Sequence, residues 1–194
     1  MPGSPLKVAV VCSNNQNRSM EAHHILHKRG FNVRSFGTGT HVKISGQILD
    51  KPNIYDFQTT YEQIYKDLTR KNKKFYTQNG VLGMLDRNKR IKPQPERFQN
   101  CTDLFDLILT CEERVYDQVV EYLNSREQDT CQPVHVINVD IKDNYEEAIL
   151  GSFLICKLCQ YIQLIEDVDN EIQEVLKEME KKTSKTFLHT VCFY

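Results

Sequence analysis

The sequence predicts an α/β fold, a doubly wound, mainly parallel central sheet with flanking helices and an inserted flap. Three observations point there. Short apolar runs alternate with helical patterns along most of the chain. The first strand, loop, helix and second strand fit within about 30 residues, the length of one βαβ unit. One long stretch, residues 40–97, breaks the alternation.

Leu6–Val11 (LKVAVV) is a nearly continuous apolar run, as a parallel strand buried on both faces requires. Ser19–Gly30 then reads as a helix that Gly30 stops. Phe31–Phe36 is the next strand, closed by the turn Gly37-Thr38-Gly39-Thr40. Thr59–Lys71 carries Tyr61, Ile64, Tyr65 and Leu68 at helical spacing. Leu104–Thr110 and Val134–Val139 are two further strands, with a helix over Glu113–Asn124 between them. One long helix is expected from Tyr145 to Lys181, its apolar stripe formed by Leu158, Ile162, Ile165, Ile172, Leu176 and Met179. Thr186–Tyr194 has the composition of a strand.

Residues 40–97 hold Gly46, Pro52, Gly80, Gly83, Pro93 and Pro95, and a long insertion of this kind between strands reads as a lid or binding flap. From Arg70 to Arg97, nine Lys/Arg stand against Asp86 and Glu96. That bias suits either a solvated charged face or a surface for phosphorylated ligands.

At 194 residues, 40% of them hydrophobic, the chain suits one domain over 1–194 with a real core. A net charge of -1 gives no global push toward nucleic acid or a membrane surface. No run of 18 apolar residues is present, and Met1–Lys7 has no leader-like pattern, so a soluble intracellular protein is expected. Seven cysteines at irregular spacing read as reduced thiols rather than a disulfide framework.

Directly after the first strand comes Cys12-Ser13-Asn14-Asn15-Gln16-Asn17-Arg18-Ser19. The spacing has a chemical reason. A phosphoryl group presents three equatorial oxygens that need donors from several sides, and a tight loop of backbone N–H groups ending on a helix supplies them. The positive helix end also favours a thiolate on Cys12, with the Ser19 hydroxyl as a further donor. Arg18 can close on the same anion with a planar fork that Lys lacks. The loop needs residues with positive φ, and Asn14, Asn15 and Asn17 tolerate it best after glycine. Cys12 is therefore the candidate nucleophile and Arg18 its phosphate clamp. Ser13, Asn14, Asn15, Gln16, Asn17 and Ser19 form the candidate phosphate cradle.

These residues carry a resemblance. Val10-Val11-Cys12-x-x-Asn15-x-x-Arg18-Ser19 resembles the phosphate loop of low-molecular-weight protein tyrosine phosphatases. Asn15-Gln16-Asn17-Arg18-Ser19-Met20-Glu21-Ala22-His23, Arg34-Ser35-Phe36-Gly37-Thr38-Gly39 and Tyr76-Thr77-Gln78-Asn79-Gly80 are similar, more narrowly, to the phosphatases of the C-terminal repeats of RNA polymerase II's largest subunit. So are Met84-Leu85-Asp86-Arg87-Asn88, Pro95-Glu96-Arg97-Phe98-Gln99, Leu109-Thr110-Cys111-Glu112-Glu113-Arg114-Val115-Tyr116-Asp117 and the ending Val191-Cys192-Phe193-Tyr194. Two departures stand out: Asn14 where that family usually has Ser, and Ser45 where it usually has Pro.

The resemblance implies a low-molecular-weight tyrosine phosphatase-like fold and a metal-independent, cofactor-free phosphoserine phosphatase acting on Ser-Pro sites. It further implies a phosphorylated polymerase repeat as substrate, a cis Ser-Pro bond supplied by a prolyl isomerase upstream, and a cleavage-and-polyadenylation scaffold as partner. It implies a nuclear location, with the cytoplasm open, and no contact with membrane or nucleic acid. Lys43, Gly46, Tyr76 and Met84 are the candidates for gripping the peptide around the phosphoserine.

Loss of a serine alkoxide requires a proton, so a carboxylic acid is expected near the loop. Functional residues of parallel sheets lie at the carboxyl ends of strands, and Val134–Val139 ends in Asp140 with Asp143 three residues on. Position alone leaves both open; the resemblance points to Asp143. Cys156-Lys157-Leu158-Cys159 lies in a helical pattern with no second pair, so core thiols are expected rather than a zinc or redox site. His23, His24 and His27 read as helix-surface residues, His135 as a strand residue and His189 as a tail residue. A thiol oxidoreductase would need a resolving cysteine near Cys12, and position 17 is Asn.

Overall fold

In β1 (Lys7–Cys12) every residue from Val8 onward is buried, because helices cover both faces of the strand. The computed structural model describes residues 5–194; the leader reading at Met1–Lys7 falls largely outside them. β1 is followed by α1 (Arg18–Lys28), β2 (Asn32–Gly37), β3 (Val42–Ile48), β4 (Lys51–Tyr55), α2 (Tyr61–Gln78) and α3 (Val81–Ile91). Then come a short 3₁₀ turn (Phe98–Asn100), β5 (Leu107–Thr110), α4 (Glu113–Ser125), β6 (Pro133–Asn138), α5 (Tyr145–Leu164), α6 (Val168–Thr183) and β7 (Leu188–Phe193).

The main sheet runs β2-β1-β5-β6-β7. Its first four strands are parallel, and β7 returns antiparallel along β6. One face carries Val8, Val10, Leu109 and Ile137 against Ala22 and Leu26 of α1, Ile155 and Cys159 of α5, and Ile172 and Met179 of α6. The other carries Ala9, Val11, Ile108 and Val136 against Val115, Val119 and Leu123 of α4. The sheet is thus doubly wound, as expected. The chain leaves β1 toward β2 on one side and returns as β5 on the other, so the carboxyl end of β1 is the switch point where such sheets bind ligands.

Two expectations change. The helix expected over Tyr145–Lys181 is two helices. Ile165 is extended (φ -83, ψ 141), and the Asp167 carboxylate accepts the Asn170 N–H at 3.3 Å to start α6. Its apolar stripe looked continuous because Leu158 and Ile162 of α5 and Ile172, Leu176 and Met179 of α6 enter the same core. Cys156 and Cys159 lie in that core as well, as expected of structural thiols.

The insertion is also more regular than a flap. It folds as the antiparallel β3–β4 hairpin over α2 and α3, around its own cluster of Val42, Ile44, Tyr61, Ile64, Leu68, Tyr76 and Leu85, joined by Met20 of α1. The helix expected at Thr59–Lys71 continues to Gln78 past Asn72, whose non-helical backbone (φ -167, ψ 87) is offset by its side chain accepting the Phe75 N–H at 3.1 Å. Of the nine basic residues, Arg70, Lys71, Arg87, Lys89, Arg90 and Lys92 pair with carboxylates, so they do not form one anion-binding face. No helix among the described residues is long and apolar enough to cross a membrane.

Candidate active site

The segment between β1 and α1 is polar in composition yet buried. Asn15 and Ser19 are fully enclosed, and Cys12, Gln16 and Arg18 nearly so. Polar groups are stable there only if bonded, and neighbouring elements bond them. Of the three asparagines expected to supply positive φ, Asn15 takes it (55°) and Asn14 and Asn17 do not, their side chains bonding instead to the Lys43 N–H and Asp143. Asn15 Nδ2 donates to Ser19 Oγ at 2.9 Å, its Oδ1 accepts the Glu96 N–H at 3.0 Å, and its carbonyl accepts the Tyr61 hydroxyl at 2.7 Å. The Gln16 carbonyl accepts from Asn88 Nδ2 at 2.9 Å and Arg87 Nη2 at 3.0 Å, and Arg87 also pairs with Glu21. Gly37, at the end of β2, permits a close approach: a Cβ there would stand 2.6 Å from the Ser13 carbonyl.

Bonding on the outer side leaves the inner side free. None of the amides from Asn14 to Asn17 donates to another group of the described residues. Ser19 Oγ stands 3.0 Å from Cys12 Sγ, where its hydroxyl can donate to a thiolate. Arg18 Nη1 donates to the Ile141 carbonyl at 3.0 Å and Nη2 to Glu112 Oε1 at 3.3 Å, while Nε is buried without a hydrogen-bond partner, 3.7 Å from Asp143 Oδ1. Burial works against the guanidinium charge, but the negative charges of Cys12, Asp143 and Glu112 outweigh it and hold the Arg18 pKa above its ordinary value. Glu112 is held below the usual carboxylate range. Burial pushes it up, and the Ser13 hydroxyl, Arg18 and Arg114 more than offset that.

A cavity of about 310 Å³ opens over the loop, lined by Cys12, Asn14, Gln16, Asn17, Arg18 and Asp143 from the sheet side. Lys43, Ile44, Ser45, Asn79, Val81, Met84 and Tyr145 line it as well. Here the two aspartates separate. Asp143 shares this cavity with Cys12 and accepts from Asn17 Nδ2 at 3.0 Å. Asp140 lines a neighbouring cleft and accepts from Asn138 Nδ2 at 2.8 Å.

The peptide-gripping candidates divide. Lys43 and Met84 line the cavity. Tyr76 does not: it is 1% exposed in the core of the insertion, its hydroxyl accepting from Asn53 Nδ2 at 2.9 Å, and so supports the hairpin from beneath. Gly46 sits at the irregularity of β3, where a Cβ would lie 2.2 Å from the Lys51 carbonyl; it shapes the hairpin and is not among the lining residues. Asn14, one of the two departures, ties loop to hairpin: its Oδ1 accepts the Lys43 N–H at 3.0 Å. Ser45, the other, lines the cavity.

Sequence reasoning did not assign Glu112, Tyr61, Arg87 and Asn88, which hold the loop. Glu112 offered a signal, an acid just beyond the carboxyl end of a strand; Tyr61, Arg87 and Asn88 stood in recognisable segments, but nothing local tied them to the loop. Among the histidines, His23 is not a free surface group, since its Nδ1 lies 2.8 Å from Ser35 Oγ.

Comparison with known proteins bears on all of this. A family model described as "Ssu72-like protein" matches residues 6–194. The human protein named as the SSU72 phosphatase of the RNA polymerase II C-terminal domain is 77% identical over 194 residues, covering 100% of both chains. A second human protein, named as SSU72 like protein 6 of the same phosphatase group, is 61% identical over the same coverage. A Drosophila melanogaster Ssu72 crystallised with Symplekin and a cis peptidomimetic of a phosphoserine C-terminal-domain peptide superposes with a TM-score of 0.95 at 53% identity, covering 99% of this chain and 100% of that one.

Proposed function

The chain belongs to the Ssu72-like family, and on that premise we propose that it is a cysteine-based serine phosphatase acting on Ser-Pro sites of the RNA polymerase II C-terminal repeats. The observation that carries this reading is the meeting of Cys12, Arg18 and Asp143 in one cavity, above a loop whose amides are unspent.

The Cys12 thiolate attacks phosphorus in line with the serine oxygen. As the P–O bond breaks, Asp143 gives that oxygen its proton, and a phosphocysteine remains. Asp143, now a carboxylate, takes a proton from water, whose oxygen attacks phosphorus and returns Cys12 as thiolate. Arg18 and the amides of Asn14–Asn17 meet the equatorial oxygens, so charge stabilisation comes from fixed donors rather than a metal ion. Glu112 holds one end of the guanidinium and leaves Nε for the anion. A phosphotyrosine ring would call for aromatic walls, and Tyr145 is the single aromatic among the lining residues, which favours phosphoserine. A polyadenylation scaffold as partner, a prolyl isomerase upstream and a nuclear location complete the reading; the first has a parallel in the Drosophila complex with Symplekin.

The test is hydrolysis of repeat peptides phosphorylated at single serine, threonine or tyrosine positions, with and without a prolyl isomerase and a chelator. Ser-Pro phosphopeptides should be preferred, the isomerase should raise their rate, and the chelator should change nothing. Rapid quenching should trap phosphate on Cys12. Faster turnover of the tyrosine peptides would overturn the substrate assignment.

A further inference from the structure

The nucleophile has a neighbour that the reaction does not use. β1 and β5 pair in parallel with Val8 opposite Leu107, Val10 opposite Leu109 and Val11 opposite Thr110. One step further, the same register sets Cys12 beside Cys111, and the ladder continues there: the Cys111 N–H donates to the Val11 carbonyl at 3.2 Å. Alternate residues of a strand face the same way. Val8, Val10 and Cys12 share one core cluster with Leu107, Leu109 and Cys111, so the two thiols project from the same face of adjacent strands. Adjacent strands lie about 4.8 Å apart, within the roughly 4.4–6.8 Å between Cα atoms that a disulfide spans. Both cysteines are free.

We propose that Cys111 is a resolving cysteine for an oxidised Cys12. Hydrogen peroxide takes the Cys12 thiolate to a sulfenic acid, its O–O bond breaking and hydroxide leaving. The Cys111 sulfur then attacks the Cys12 sulfur, the S–O bond breaks, and the sulfenic oxygen leaves as water with the Cys111 proton. A disulfide joins the two strands, and an external thiol reductant reverses it by exchange.

The surroundings suit the order of events. Cys12 lines the cavity that peroxide can enter, whereas Cys111 is 0% exposed and meets no oxidant on its own. Burial, reinforced by the negative charge of Cys12, keeps the Cys111 thiol well above the usual cysteine range, so it stays protonated during turnover. A sulfenic acid on Cys12 is neutral. That removes one of the charges opposing the Cys111 thiolate, while burial still raises the thiol and the Arg18 guanidinium still lowers it. The loop itself has Asn at position 17 and offers no such thiol.

The inference rests on Cys12 being the reactive thiolate, and the experiment separates the two. The protein is exposed to limiting hydrogen peroxide, digested without reduction and mapped by mass spectrometry. The expected product is a peptide pair linked through Cys12 and Cys111, with activity restored by dithiothreitol. Cys111→Ala should keep its basal activity but recover roughly tenfold less after the same exposure, because its sulfenic acid proceeds to sulfinic acid. Oxidation of Cys12 without the cross-link, whether to a sulfenamide with a loop amide or to sulfinic acid, overturns the role of Cys111 and leaves the phosphatase reading intact. So does full recovery of Cys111→Ala. Oxidation of another cysteine while Cys12 stays reduced overturns both.

Discussion

In the loop from Cys12 to Ser19, Asn15 and Ser19 have no exposed surface, and their polar atoms bond to Tyr61, Glu96 and each other. Across the same cavity, the β3–β4 hairpin leaves Ile48, Leu49 and Ile54 exposed at 59%, 97% and 56%. The loop is fixed from several directions by elements distant in sequence. The hairpin is held by its own pairing, by Val42 and Ile44 in the core of the insertion, by bonds between Tyr55, Asn53 and Gln47 and side chains of α2, and by Lys43 N–H to Asn14 of the loop, while its tip stays in solvent. The contrast suits the roles proposed for each. Transition-state charge is stabilised by donors that need no reorganisation, so the loop must be rigid. A peptide arrives in many conformations, and a surface that grips it gains from adaptability. On the proposed reading, chemistry belongs to the loop and substrate reading to the hairpin.

The comparison can be broken most directly at the nucleophile. Cys12→Ser should lower turnover of a phosphoserine peptide and of an aryl phosphate alike, by about 10⁴-fold or more, while the protein still folds and binds phosphopeptide. A variant keeping more than about 1% of activity would sink the covalent mechanism.

Next in size is Asp143→Asn. Serine leaving groups need its proton and activated aryl groups do not, so the peptide rate should fall about 10²–10⁴-fold and the aryl rate far less. Equal losses would reassign Asp143 to a structural role and return Asp140 to consideration.

On the hairpin side, Lys43→Ala or Met84→Ala should cut kcat/KM for peptide by roughly tenfold and spare the aryl phosphate, which does not reach them. If both substrates suffer alike, the hairpin supports the loop rather than reading the peptide. Asn14→Ser, which shortens the side chain that tethers Lys43, should give a smaller peptide-selective change, on the order of two- to fivefold, reflecting one hydrogen bond of about 1 kcal/mol or less.

Acid should act on the frame that carries both regions. His23 and His189 are lowered to about 4, in each case first by burial, with Lys92 adding to the effect at His23 and His135 at His189. Between pH 6.5 and 4 the unfolded chain binds protons that the folded chain does not. Stability contributed by these groups is thus complete above about 6.5 and lost as pH falls toward 4. Thermal melts should show Tm falling over that window, by about 2–4 °C for each kcal/mol lost. A flat Tm would mean that the two rings protonate freely in the folded state.

Much of the candidate site was legible in the sequence because it is local. Cys12, Arg18 and Ser19 fall within one turn of backbone, and their spacing after an apolar run already states what the loop holds. The alternation of strands and helices is equally local, since burial on both faces makes strands apolar throughout and amphipathic helices repeat every 3.6 residues.

Tertiary structure decided what depends on register and on distant contacts. It placed Asp143, not Asp140, in the cavity with Cys12, although both line the neighbouring cleft. It carried the helical stripe of Tyr61, Ile64 and Leu68 past the break at Asn72 to bury Tyr76 in a second small core, and it divided α5 from α6 although both contribute to one apolar stripe. It set Cys111 beside Cys12 through the β1–β5 register. A pairing between strands so far apart in the chain leaves no mark on either segment alone, because each is apolar for the same reason, burial between two layers of helix.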